Sequence, residues 1–154
     1  MPDLFALDTS VYISALRNAV ELGALQEFLK VYGRRVIVAG PVAMELRAGA
    51  PTVRHVEAVD ALLEAYAHRK RTIAGSYAAH AEAGRVLAAL AAHERVVLAQ
   101  APRSLTADVL LATVCREHDV VLITDNHKDF APIQRHLRGF RFIAPWPAGP
   151  RPYR

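Results

Sequence analysis

Residues 120–130 read Val-Val-Leu-Ile-Thr-Asp-Asn-His-Lys-Asp-Phe, an apolar run of four followed by polar and acidic residues. Such a short run, apolar throughout, predicts a strand buried on both faces rather than a helix. Two earlier stretches have the same form: Leu-Phe-Ala-Leu-Asp-Thr-Ser at 4–10, and Val-Ile-Val-Ala-Gly-Pro at 36–41, which runs into Glu45. The three stretches predict three buried strands, each leading to an acidic residue.

Helical patterns separate these strands. The predicted helices cover 11–18 with Ser10 as N-cap, 20–31, 41 to the break at 49, 52–70, 76–93, 106–118 with Thr106 as N-cap, and 132–137. A weak last strand is predicted at 140–143. Apolar strands that alternate with helices predict an α/β fold, a three-layer α/β/α sandwich with a central, mostly parallel sheet of four to five strands.

Length and composition favour one globular domain. The chain has 154 residues, 53% of them hydrophobic, which is enough to bury a core. We expect one domain over 1–146 and a loosely held tail over 147–154, rich in Pro and Arg. No apolar run reaches 18 residues and the N-terminus lacks a signal-peptide pattern, so a cytoplasmic protein without a membrane segment is expected. The single cysteine, Cys115, excludes an internal disulfide and is predicted to be a buried thiol.

The net charge of +4 and pI near 9.6 favour an anionic partner, with nucleic acid first. Arg69, Lys70 and Arg71 end a predicted helix, and Arg135 and Arg138 lie close together late in the chain. These cations are candidates for contacts with an RNA backbone. The alternative is that they are solvated charges that complement helix C-termini.

Four acids are candidates for one functional site: Asp8, Glu45, Asp108 and Asp129, with Asp125 in reserve. In parallel α/β folds, ligands bind beyond the carboxyl ends of the strands. Each acid also has an ordinary structural explanation. Asp8 could cap a helix, Glu45 could pair with a nearby arginine, Asp108 could favour the dipole in a first helical turn, and Asp129 could be a turn or cap residue.

Together the acids indicate a metal site. Carboxylates that converge on one edge of a sheet repel each other, and a divalent cation removes that conflict. Oxygen ligands suit Mg²⁺ or Mn²⁺, and no Cys/His spacing suggests structural zinc. The sequence has no phosphate-binding glycine loop, and no serine or cysteine triad stands out. A metal-dependent phosphodiesterase, a nuclease, is therefore the leading hypothesis.

Four motifs in this order resemble the PIN-domain family: residues 7–10, Glu45 on its helix, residues 107–112, and residues 123–130. The length and single-domain layout are similar to VapC-type toxin ribonucleases of toxin–antitoxin systems. The resemblance covers the chain from Leu4 to about Trp146. Each motif alone is loose, whereas the ordered set is fairly specific.

The resemblance implies a metal-dependent endoribonuclease that hydrolyses RNA phosphodiesters by in-line attack of a metal-bound water, leaving 5′-phosphate and 3′-hydroxyl ends. It also implies one or two Mg²⁺ or Mn²⁺ ions, a cognate antitoxin that occludes the site, and commonly a homodimer. By motif position Asp8, Glu45 and Asp108 match the three core acids, and Asp129 is the fourth. Residues that would hydrogen-bond to these carboxylates and orient them are Thr9, Ser10, Thr124 and Asn126.

Three other functions fit parts of the pattern. A phosphatase with an aspartate nucleophile would need a second acid two residues after Asp8, where this chain has Ser10. A non-catalytic RNA-binding module would gain nothing from acids, since carboxylates repel phosphate in the absence of a metal. An RNA-processing nuclease without an antitoxin would use the same chemistry, and only the genomic neighbour and the effect on growth would distinguish it from a toxin.

Overall fold

The computed structural model describes residues 2–145. The strands are β1 Leu4–Leu7, β2 Val36–Ala39, β3 Thr72–Ile73, β4 Val120–Ile123 and β5 Arg141–Ile143. The helices are α1 Thr9–Arg17, α2 Ala19–Tyr32, α3 Gly40–Ala48, α4 Val53–His68, α5 Tyr77–His93, α6 Arg103–Glu117 and α7 His127–His136. Trp146 and the tail predicted at 147–154, and with them the domain boundary between the two, lie outside the described residues.

All five strands form one parallel sheet in the order β3-β2-β1-β4-β5. β1 lies at the centre, where Phe5 is in register with Val36 on one side and with Val121 on the other. The α/β class and the parallel sheet predicted from the apolar runs are confirmed. The three predicted buried strands are the three central ones, because only strands with helices over both faces can be apolar on both faces.

The connections place helices on both faces of the sheet. From β1 the chain moves to β2 and then β3, carrying α1 to α4, and it then crosses back to β4 and β5, carrying α5 to α7. Right-handed crossovers that run in opposite directions put their helices on opposite faces. The contacts agree, since α5, α6 and α7 pack against each other, as α1 packs on α2 and α3. The result is the predicted three-layer sandwich.

The core lies between the sheet and the helices. Its largest fully buried side chains include Phe130, Leu122 and Leu111. Cys115 is fully buried in α6, and burial raises the pKa of its thiol, as expected for a structural cysteine. The longest helix, α5, has 17 residues, and no helix within residues 2–145 combines the length and the apolar character needed to cross a membrane.

The structure corrects several predicted boundaries. α6 begins at Arg103 with Pro102 at its N-cap, so Thr106 lies inside the helix and does not cap it. α7 begins at His127, five residues before its predicted start, and contains Pro132. The two-residue strand β3 was not predicted, because Thr72 and Ile73 are β-branched but too short a run to indicate a strand without the pairing that β2 provides.

Candidate metal centre

The candidate site lies where the chain reverses its direction across the sheet. β1 and β4 are neighbours, but the chain leaves β1 toward β2 and leaves β4 toward β5. The helices that follow these strands therefore diverge, which opens a crevice at the carboxyl ends of the strands. The backbone N–H of Asp8 donates to the carbonyl of Ile123 at 2.9 Å, and this bond holds the two strand ends together.

Asp8 is buried at the end of β1, with 5% of its surface exposed. Its Oδ1 accepts a hydrogen bond from the backbone N–H of Thr9 at 2.8 Å, and its Oδ2 accepts from the hydroxyls of Ser10 at 3.2 Å and Thr124 at 2.7 Å. Asp8 is the N-cap of α1, so the prediction that Ser10 fills that position is wrong. The cap and the candidate ligand are the same residue.

A chain of hydrogen bonds continues from Asp8 to Asp129. The hydroxyl of Thr124, which donates to Asp8, also accepts from the backbone N–H of Asn126 at 3.0 Å. The Asn126 amide in turn donates to Oδ2 of Asp129 at 2.7 Å. The sequence predicted that Thr124 and Asn126 would orient carboxylates, and both side chains are in contact with one.

Thr124→Val tests the central link of this chain. Valine keeps the shape of threonine but lacks its hydroxyl, which donates to Asp8 and accepts from the backbone N–H of Asn126. Asp8 is buried and Asn126 is half-buried. We expect a loss of about 1–3 kcal/mol in unfolding free energy by urea titration. Thr113→Val is the matched control, because the equally buried Thr113 hydroxyl only duplicates a helical bond to the Leu110 carbonyl. Its loss should stay below about 1 kcal/mol, and equal losses would contradict a specific role for Thr124.

Glu45 reaches the site from α3. The hydroxyl of Thr9 donates to its Oε2 at 2.6 Å, which joins α3 to the start of α1. Arg47, the nearby partner that a purely structural role would need, pairs with Asp60 at 2.8 Å instead. The half-buried Glu45 carboxylate therefore faces the end of β1 rather than a surface cation.

Asp108 is the most perturbed carboxyl of the site. It lies in α6 with 8% of its surface exposed, and its pKa is raised to about 7. Burial is the largest cause, and the negative charges of Asp8, Glu45 and Asp129 add to it. Since α6 begins at Arg103, Asp108 lies beyond the first turn, and the helix dipole does not explain its position.

The carboxylates of Asp8, Glu45 and Asp129, from three other elements, all lie near enough to Asp108 to raise its pKa. Burial also raises the pKa of Asp8, with a further contribution from Glu45, although the hydrogen bonds to Asp8 oppose this shift. Asp125, held in reserve, is exposed, and it is not among the charges that raise the Asp108 pKa. A perturbed carboxyl in a cleft beside other carboxylates is a common feature of functional sites.

The donor set fits a hard divalent cation. Within residues 2–145 no three His, Cys, Asp or Glu side chains form a ready-made metal-binding group. The Glu45 and Asp129 carboxylates accept hydrogen bonds from Thr9 and Asn126. Asp108, however, accepts no hydrogen bond from any described residue. A buried carboxylate with no donor and with three negative neighbours lacks a positive partner, and carboxylate oxygens suit Mg²⁺ or Mn²⁺.

The predicted RNA-binding cations differ in their surroundings. Arg71 donates to the carbonyl of Gly33 and stacks over the ring of Tyr66. It directly precedes β3, so it lies at the opposite end of the sheet from the carboxylates. Arg69 and Lys70 beside it are exposed.

Arg135 and Arg138 also differ from each other in their contacts. Arg135 forms two hydrogen bonds with Glu94, at 2.9 and 2.8 Å, and these hold the pKa of Glu94 down at about 2. Arg138 is exposed and forms no ion pair with any residue in the described range.

A cavity of about 420 Å³ borders the carboxylates, and sequence reasoning did not find it. Asp108 and Asp129 line it, together with eight of the residues between 95 and 105. Residues 95–105 have no regular polar or apolar pattern, so only their tertiary position makes them a wall of this cavity.

Solved structures with the same fold come from toxin–antitoxin complexes. A chain of DNA-bound VapBC from Salmonella typhimurium is 24% identical, with a TM-score of 0.68, over 92% of this chain and 98% of that one. A chain of FitAB bound to the IR36 DNA fragment is 16% identical, with a TM-score of 0.70, over 96% and 99%. A chain of VapBC-1 from nontypeable Haemophilus influenzae is 17% identical, with a TM-score of 0.65, over 92% and 97%.

No family model and no curated protein matches the sequence. The relationship is therefore one of structure, extending over nearly the whole of each chain. It confirms the PIN-like fold that the sequence motifs predicted. Chains of the VapBC and FitAB complexes have this fold.

Proposed function

We propose that this protein is a metal-dependent endoribonuclease, the toxin of a toxin–antitoxin pair. The observation that carries the proposal is Asp108, a buried carboxyl whose pKa is raised to about 7 by burial and by three carboxylates from other elements. This arrangement costs folding free energy, and a bound cation would offset the cost. A site that binds a cation beside a crevice suits the hydrolysis of a phosphodiester.

Each residue has a role in this proposal. Asp8 and Asp108 would hold the principal ion, Glu45 would complete its shell or accept a proton from the attacking water, and Asp129 would contribute to a second ion where one binds. The hydrogen bonds from Thr9 and Thr124 fix the carboxylate orientations. A bound Mg²⁺ or Mn²⁺ would supply a water of lowered pKa and positive charge beside the phosphoryl oxygens.

Two alternatives fit the site less well. In an aspartate phosphatase the position two residues after Asp8 would carry an acid, but here Ser10 donates a hydrogen bond to Asp8. A non-catalytic RNA-binding module would place its phosphate contacts away from four carboxylates, which repel phosphate in the absence of a cation. The net charge of +4 supports a nucleic-acid substrate in either case.

The partners proposed are a cognate antitoxin and a second copy of this chain. Support comes from the solved structures, which are VapBC and FitAB complexes, several of them bound to DNA. An antitoxin that covers the carboxylates would keep the enzyme inactive until the antitoxin is lost. An RNA-processing nuclease without an antitoxin remains the second candidate, because the chemistry of the site is the same.

Cleavage of labelled total RNA and single-stranded DNA tests the activity. Wild type and Asp8→Asn are incubated with Mn²⁺, Mg²⁺ or EDTA, after removal of any copurified partner under denaturing conditions and refolding. We expect RNA cleavage with Mn²⁺ or Mg²⁺, none with EDTA, and a loss of at least about 100-fold in the variant, since charge stabilisation by a metal contributes several kcal/mol. Salt-sensitive RNA binding without cleavage would favour the binding module.

A further inference from the structure

The cavity of about 420 Å³ beside the carboxylates has the size and lining of a small-molecule site. Its walls are mostly apolar, with Leu90, Val96, Leu105 and Pro132 among them. Ligand sites combine such walls with a few polar groups that fix the ligand's orientation. The opening is continuous with the proposed metal centre, because Asp108 and Asp129 belong to both.

Four polar side chains of this cavity have no partner among the described residues. Gln100 and Ser104 line it, and neither side chain hydrogen-bonds to any residue within 2–145. Arg95 and Lys128 also line it and take part in no ion pair over the same range. By contrast, the Gln134 amide outside the cavity donates to the Phe140 carbonyl. The cavity therefore offers an amide, a hydroxyl and two cations that have no partner within residues 2–145.

We propose that this cavity receives one unpaired nucleobase of the RNA, that of a nucleotide next to the scissile phosphate, and that Gln100 and Ser104 read its edge. The proposal rests on the ribonuclease function proposed above. A base is flat and apolar on its faces but carries donors and acceptors on its edge. Single-stranded RNA is recognised through bases that are splayed out, packed against side chains and hydrogen-bonded along that edge.

The charges around the cavity match a nucleotide in this orientation. Lys128 and Arg95 line the cavity and can meet the backbone phosphates that flank the base. A cation bound by Asp8 and Asp108 would supply positive charge at the phosphate to be cut. The amide of Gln100 can donate and accept at once, which allows it to distinguish bases by the pattern on their edges. Cleavage would then depend on the identity of one base, and the protein would cut RNA at a preferred nucleotide.

Combining cavity substitutions with base removal tests this inference. Short single-stranded RNAs are made with an abasic nucleotide on either side of the preferred cut, and cleavage with Mn²⁺ is measured for wild type, Gln100→Ala and Ala101→Trp. Ala101 lines the cavity from a loop, so a tryptophan there fills the cavity without entering the core. Matched controls on exposed helix positions away from the cavity are Gln26→Ala and Ala58→Trp.

Wild type should lose about tenfold or more in rate when the base on one side is removed, the effect expected of a single base contact. Ala101→Trp should show a similar loss on intact RNA and little further loss on the abasic RNA. Gln100→Ala should weaken the preference among bases at that position. The base site would be overturned if base removal and Ala101→Trp lowered the rate additively, or if the cavity variants cleaved as fast as the control variants. The cavity would then be a groove for docking a protein. Absence of cleavage by wild type on every RNA would instead overturn the nuclease function.

Discussion

Asp108→Asn is expected to abolish metal-dependent cleavage and to raise the stability of the fold above pH 7. Asparagine has nearly the shape of aspartate and fits the same place in α6, but it carries no charge. The proposed cation loses one of its two principal ligands, so cleavage should fall by at least about 100-fold. The repulsion among the carboxylates falls at the same time, which is why the effect on stability has the opposite sign.

The pH dependence follows from the two pKa values of Asp108. The carboxyl titrates near 3.8 in the unfolded chain and near 7 in the fold. Below pH 3.8 the carboxyl is protonated in both states and does not change the free energy of unfolding. Above that pH its ionisation increasingly favours the unfolded chain, and the loss of stability is complete above pH 7. Each pH unit between the two values corresponds to about 1.4 kcal/mol, so the variant should gain roughly 2–4 kcal/mol at pH 8 and little at pH 4.

Urea titrations at pH 4, 6 and 8 in EDTA measure this gain, and cleavage assays measure the loss of activity. The control is Asp119→Asn, which removes a carboxylate from an exposed turn whose left-handed backbone asparagine adopts readily. It should be active and change in stability by less than about 1 kcal/mol. A destabilised Asp108→Asn at pH 8 would show that the carboxylate is solvated or paired, and full activity would remove it from the site.

Much of the site could be predicted because its acids follow strands that are easy to recognise. The apolar runs at 4–7 and 120–123 allow only buried strands, and parallel strands deliver Asp8 and Thr124 to the same edge of the sheet. The position of Glu45 depends on Pro41, which preorganises the first turn of α3. In each case a local pattern and the tertiary fold favour the same structure.

The rest depends on contacts that a local pattern does not contain. Thr106 has the chemistry of an N-cap, but α6 begins three residues before it, and Leu105 in that added turn packs against the core. Asp8 caps α1 because the backbone bond between its N–H and Ile123 fixes its position at the end of β1. The cavity is lined by the loop before α6 and by residues of α5, α6 and α7, segments that are brought together only in the folded chain.

Manganese should raise the melting temperature of wild type far more than that of the double variant Asp8→Asn/Asp108→Asn. A ligand present at 100 times its dissociation constant stabilises the folded state by about 2.7 kcal/mol. For a domain of this size, that corresponds to roughly 5–10 °C. The double variant should start from a higher melting temperature in EDTA if the Asp108 result holds, and its shift with Mn²⁺ should be close to zero because both principal ligands are gone.

The comparison needs a control of equal net charge, because Mn²⁺ also binds weakly to surface carboxylates. Asp119→Asn/Glu57→Gln removes two exposed acids and leaves the four-carboxylate cluster intact. This control should keep the full wild-type shift in differential scanning calorimetry at pH 7.5. Equal shifts in all three proteins would show that the stabilising ion binds outside the cluster. A shift lost only in the Asp8/Asp108 variant would place the ion at the switch point between β1 and β4, since those two carboxylates reach that crevice from β1 and α6.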